Sequence, residues 1–266
     1  MDLGLDGKRA FVAASSKGLG RAVATQLVRE GARVTISSRS EGNLADAREH
    51  VLAETGADED AVHTETCDVR EPDDIHAAID GAVEAFGGLD VLVTNHGGPP
   101  AMNVEEAEAS DLDDAAELVI ESTFTTVKAA LPALREGEGG AMAHVVSASA
   151  RESPSNHVVS NATRPGIYGI SKSVSNRYAG DGVRSNCVCP RGVMTERIEY
   201  KIRDIAERRD ISYEDAKAIR EEELPLGRLG RPPEFARAVA FLVSPAAGFI
   251  TGALLPVDGG WTRQTF

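Results

Sequence analysis

Apolar positions along this chain recur with two periods in turn. Short runs at residues 8–14, 33–37, 61–67 and 89–94 are dense in apolar and β-branched residues and read as buried strands. Between them, apolar residues recur every three or four positions. In 18–30, Ala22, Val23, Leu27 and Val28 share one face, which predicts a helix. Further helices are predicted over 41–54 and 72–86, the latter opening on Pro72, a residue favoured at the first helical position. Residues 101–110 are acidic and Ala-rich and read as a loop. Residues 112–134 read as one long helix bent at Pro132. An apolar run beginning at His144 ends at Ser147, a long helical segment follows, and 183–188 reads as another strand. Strands that alternate with helices in this way predict βαβ units on a parallel sheet, hence an α/β, doubly wound domain spanning 1–266.

Composition narrows the partners. The chain has 266 residues, 42% of them hydrophobic, enough for one large core. Its net charge of −14 argues against nucleic acid or an anionic membrane as partner. Basic residues are mostly Arg, with only six Lys, and this acidic, Lys-poor balance points to a high-salt cytoplasm. No apolar stretch is long enough to span a membrane and no basic-then-apolar leader opens the sequence, so a cytoplasmic location is expected. Cys67, Cys187 and Cys189 are badly spaced for zinc, and no metal is expected. Cys187 and Cys189 alternate on a predicted strand and share a face as small buried residues.

Candidate chemistry begins at the first strand–helix turn, Ala13-Ala14-Ser15-Ser16-Lys17-Gly18-Leu19-Gly20. Glycines here let backbone approach a pyrophosphate, whose charge the helix N-terminus favours. Further on stand Cys67-Asp68-Val69, Thr94-Asn95-His96-Gly97, Ser147, Tyr168-Gly-Ile-Ser-Lys172 and Pro190-Arg191-Gly192-Val193-Met194-Thr195. In this order and context the motifs resemble the short-chain dehydrogenase/reductase family, over nearly the whole chain, and most of all its bacterial 3-oxoacyl-carrier-protein reductase-like members.

The resemblance implies a single Rossmann domain of about seven parallel strands flanked by helices, a homotetramer, and a mobile substrate lid at about 194–224. It implies a dinucleotide held by Ala14, Ser16, Lys17, Gly18, Leu19 and Gly20. Asp68 and Val69 would meet the adenine, Asn95 and Gly97 would line the cofactor, and Val193 and Thr195 would meet the carboxamide and phosphates. His96 departs from the family pattern and reads as packing or a cofactor contact. An NAD enzyme needs a carboxylate at the end of the second strand, where this chain has Ser37-Ser38-Arg39-Ser40. Lys17 and Arg39 together imply NADP(H), with the Arg fork on a 2′-phosphate.

The catalytic set is where the chain departs most. The resemblance implies a catalytic set of an Asn, the Ser that ends the fifth strand, a Tyr about thirteen residues later and a Lys four beyond it; counted from Ser147, those last two positions are Ser160 and Arg164. The family's usual spacing of about thirty residues, counted back from Pro190, reaches Ser160 again. Tyr168 and Lys172 also share a helix face, but they lie eight residues later, roughly 12 Å along a helix. The expected catalytic residues are therefore Ser147, Ser160 and Arg164, with Val119 at the family's Asn position. Against this register, Pro165-Gly166 should kink the helix or delay its start. Arg191 places a cation beside the nicotinamide or the substrate, where an acidic substrate or a salt bridge would suit it. The implied activity is NADP(H)-dependent interconversion of a small-molecule carbonyl and a secondary alcohol. The alternative is a cofactor-binding protein with weak or lost redox activity, a sensor or a non-redox catalyst.

Overall fold

The structure is a computed structural model that describes residues 2–136 and 139–264. It is an α/β fold built on one seven-stranded sheet. The strands are β1 (Arg9–Val12), β2 (Arg33–Ser38), β3 (Val62–Thr66), β4 (Val91–Thr94), β5 (Ala141–Val145), β6 (Arg184–Pro190) and β7 (Leu254–Val257). Their order is β3-β2-β1-β4-β5-β6-β7, and every neighbouring pair is parallel.

Helices cover both faces of the sheet. On one side lie α1 (Gly18–Arg29) and α2 (Glu41–Thr55); on the other lie α3 (Pro72–Phe86) and the later helices described next. Strand alternation sorts the core between them. Ala10, Val12, Val91, Val93, Ala141 and Ala143 point to the α1 side, while Phe11, Leu92 and Met142 point to the α3 side. Both faces are sealed, so the strands carry almost unbroken apolar runs.

The segment after β4 corrects the expectation of one long helix bent at Pro132. Helix begins earlier, as α4 (Ala109–Ala115), inside the stretch expected to be loop. A π-helical turn over Ala116–Glu121 then interrupts it before α5 (Ser122–Arg135). The irregularity sits at this turn, where the Ser122 hydroxyl donates to the Leu118 carbonyl and Thr126 to that of Ser122. Pro132 falls in the last turn of α5 and does not interrupt it.

The helix α6 (Val158–Tyr178) corrects a second expectation, since Pro165 does not delay its start. The first turn is secured upstream of the proline: Asn161 N–H donates to the His157 carbonyl at 2.8 Å, and its side-chain amide to Pro154 at 2.7 Å. The Pro165 ring is exposed, so the missing N–H removes one helical bond without a core clash. Gly166 faces the π turn, where an added Cβ would lie 3.1 Å from Ile120 Cδ1.

After β6 come α7 (Glu196–Arg209) and α8 (Tyr213–Glu222), which pack on each other through Ile202, Ala216 and Leu224, with Trp261 against them. Helix α9 (Pro232–Val243) returns to the α1 side of the sheet. No helix of the described residues is long and apolar enough to cross a membrane.

Candidate functional site

The order of strands reverses between β1 and β4, and a cleft of about 800 Å³ opens at the C-terminal ends of the strands there. At its β1 end, Ala14, Ser16, Lys17, Gly18 and Leu19 line the wall. Gly20 lies behind them, and a Cβ on it would come within 2.6 Å of the Ala14 carbonyl oxygen. Asn95 ties the end of β4 to this turn by donating its amide to the same oxygen at 3.0 Å. Ala14 is more than an extra methyl on a glycine position, because its φ is +46°. That left-handed conformation costs an L-residue about 1–2 kcal/mol. Lys17 is the N-cap of α1 and makes no side-chain cap bond, so the first N–H groups of the helix have no capping side chain. This uncapped N-terminus, with Gly20 permitting close packing, fits a dinucleotide's pyrophosphate.

Further along the same edge, Ser38, Arg39, Asp68 and Val69 line the cleft. Arg39 is largely exposed and lies 3.7 Å from the Asp68 carboxylate. Asn95, His96 and Gly97 form the floor at the end of β4. His96 is buried. Its Nδ1 bonds to the Gly97 carbonyl, which leaves Nε2 as an acceptor with no partner. Burial, then the charges of Arg164 and Arg197, push its pKa down to about 3, so the ring is neutral.

Ser147, Ser160 and Arg164 all line this cleft. Ser147 follows β5, and its Oγ accepts from the Ser149 N–H at 3.2 Å and the Ser149 hydroxyl at 3.1 Å. One turn apart on α6, the Arg164 Nε donates to Ser160 Oγ at 3.0 Å. The same guanidinium donates to the Val146 carbonyl, which anchors it to the end of β5. Burial, then Arg197, lower the Arg164 pKa to about 10, which still leaves it charged at neutral pH. Tyr168 and Lys172 do not line the cleft. Tyr168 is 37% exposed, and Lys172 lies against the Gly252 backbone ahead of β7. None of the chain's four tyrosines lines the cleft. Val119 is fully buried in the π turn among Val146, Ile167, Cys187 and Cys189, so the position carries packing and no polar group. Both of these cysteines are buried on one face, with burial pushing each thiol up to about 12. No group of metal-ligating side chains occurs among the described residues.

Val193 and Thr195 line the far end together with Pro190 and Gly192. Four cleft residues there escaped the sequence reading: His157, Arg197, Lys201 and Arg220. A signal existed, since Arg197 and Lys201 sit four apart on a helix and so share a face. It was hidden by the many surface charges around them.

Comparison with known proteins agrees with this fold. The enoyl-(acyl carrier protein) reductase family model matches residues 13–262. The D-threitol dehydrogenase of Mycolicibacterium smegmatis is 33% identical, over 98% of this chain and 95% of its own. Among solved structures, L-sorbose reductase from Gluconobacter frateurii, complexed with NADPH and L-sorbose, superposes with a TM-score of 0.93 at 26% identity, covering 99% of this chain and 100% of its own. An NADPH-bound short chain oxidoreductase from Pseudomonas aeruginosa, described as containing an atypical catalytic center, gives 0.88 at 28% identity, covering 98% and 100%.

Proposed function

Because this chain belongs to the short-chain dehydrogenase/reductase family, an oxidoreductase family acting on carbonyls and alcohols, we propose that it uses NADP(H) and the set Ser147, Ser160 and Arg164. The observation that carries this reading is the direction of two hydrogen bonds. Ser160 Oγ accepts from Arg164, and Ser147 Oγ accepts from Ser149, so each hydroxyl keeps its own proton to donate. Both can therefore point donors at one substrate oxygen in the cleft. The cofactor, when bound, supplies the hydride. Arg164 stands behind Ser160 and stabilises negative charge as it develops on that oxygen. Ser160 passes its proton to the oxygen and recovers one from solvent. A serine is a weaker acid than a phenol, so the adjacent permanent cation is required.

Lys17 and Arg39 favour NADP(H) over NAD(H). The Arg39–Asp68 pair is long and exposed, so releasing Arg39 to a 2′-phosphate costs little. Fluorescence titration tests this: Arg39→Ala should weaken NADPH binding and leave NADH binding in place. The overall reading is tested by NADPH oxidation with a panel of ketones and 3-oxoacyl thioesters in high salt, as the acidic, Lys-poor composition suggests a halophilic protein. A second reading, cofactor binding with weak or lost redox activity, is favoured by the absence of any phenol from the cleft; it predicts tight NADPH binding with no turnover across the panel. A homotetramer is supported by β7, a partly exposed edge strand, and by Phe249, which is fully exposed beside it. Light scattering at working salt distinguishes it from a monomer. A lid over 194–224 is supported by the small separate core of α7 and α8.

A further inference from the structure

We infer that the substrate carries an anionic group, a carboxylate or phosphate, held by Arg191, Arg197, Lys201 and Arg220 at the lid end of the cleft. This inference rests on the proposed reaction and names its substrate class. All four side chains line the cleft, in a chain whose net charge is −14. Glu223 alone pairs with two of them, Arg191 at 3.3 Å and Arg220 at 2.9 Å. Arg197 rests on the carbonyl oxygens of Gly98 and Pro99, at 3.2 and 3.1 Å. Lys201 forms no ion pair among the described residues. The Nε atoms of Arg191 and Arg220 are buried with no partner. Of the other acids nearby, Glu196 lines the cleft, while Asp258 is engaged by Gly260 and Thr262.

Gathering cations in a partly desolvated wall is unfavourable unless an anion completes it. The cost is visible in the cluster. Burial, then Arg197, Arg220 and Arg191, lower the Lys201 pKa to about 8. Burial and the same cations, led by Lys201, hold His157 down at about 4. Arg191 is further fixed by stacking 4.2 Å from the centre of the Trp261 ring. The site is separate from the 2′-phosphate end. Arg191 follows β6, four strand steps of about 4.8 Å from β2, roughly 19 Å in all.

The test uses matched substrate pairs with NADPH: acetoacetate against methyl acetoacetate, and dihydroxyacetone phosphate against dihydroxyacetone. The anionic member of at least one pair should have the higher kcat/KM, and the pair that responds separates carboxylate from phosphate. Lys201→Met and Arg220→Gln should each lower that preference about tenfold to a hundredfold. A preference near one in the unaltered protein, or one that neither variant changes, overturns the proposal. Calorimetry with acetoacetate and inorganic phosphate reads the site without turnover. Binding lost in Lys201→Met and kept in Arg39→Ala supports the site even if no substrate turns over, in which case the proposed reaction fails and the anion site stands. Binding lost only in Arg39→Ala overturns it. So does an NADPH affinity that falls in Lys201→Met as far as anion binding does, because the cluster would then serve the cofactor's pyrophosphate.

Discussion

Helix α6 carries two pairs with the same spacing, Ser160 with Arg164 and Tyr168 with Lys172. The first pair is hydrogen-bonded and lines the cleft. The second is on the outside, with Tyr168 partly in solvent and Lys172 exposed. A separation of four residues places two side chains on one helical face, but it does not say which neighbour that face meets. Eight residues further on, a helix has advanced about 12 Å and turned about 80° beyond two full turns. The second pair therefore cannot replace the first by a rotamer change. The same spacing thus places one pair in the cleft and the other outside it.

The comparison breaks most visibly at Arg164. Arg164→Ala should lower kcat about a thousandfold, through loss of the charge behind the reacting oxygen. Steady-state NADPH oxidation measures this, with thermal melting to show that the fold persists. If turnover survived, the first pair would not be the reacting one. Ser160→Ala should follow with a loss of about a hundredfold in kcat and little change in NADPH affinity.

A smaller effect should appear with pH. Arg164 keeps its charge through the neutral range, whereas Lys201, lowered to about 8, holds its proton below that pH and loses it above. KM for an anionic ketone should therefore rise severalfold as pH passes through about 8, while KM for its neutral ester stays flat. Lys201→Met should remove the inflection. The smallest effect belongs to the second pair. Tyr168→Phe and Lys172→Ala should change kcat/KM by no more than about twofold, as expected of exposed substitutions. A collapse of turnover in Tyr168→Phe would transfer the chemistry to that pair.

Much of the fold was legible because it depends on periodicity and local turn chemistry. Strand alternation in segments such as Ala10-Phe11-Val12 already marks a sheet buried on both faces. The turn through Gly18 and Gly20 marks a helix start, since a Cβ at Gly20 would strike the Ala14 carbonyl. The family's spacing, counted along the chain, grouped Ser147, Ser160 and Arg164, and all three line the cleft.

What counting could not supply came from contacts between distant segments. Pro165 is tolerated inside α6 because Asn161 and Pro154 secure the first turn and the ring meets solvent. The break before α5 lies at a π turn, Ala116–Glu121, and not at Pro132. The cations at Arg191, Arg197, Lys201 and Arg220 sit among many other charges in the sequence. Only the packing of α7 on α8 and against Trp261 gathers them on one wall. The sequence by itself determined the order of strands and helices along the chain and the glycine turn between β1 and α1, since both follow from interactions within a few residues. Tertiary structure alone decided which charges converge at the lid end of the cleft, because charge interactions depend on distance through space and not on separation along the chain.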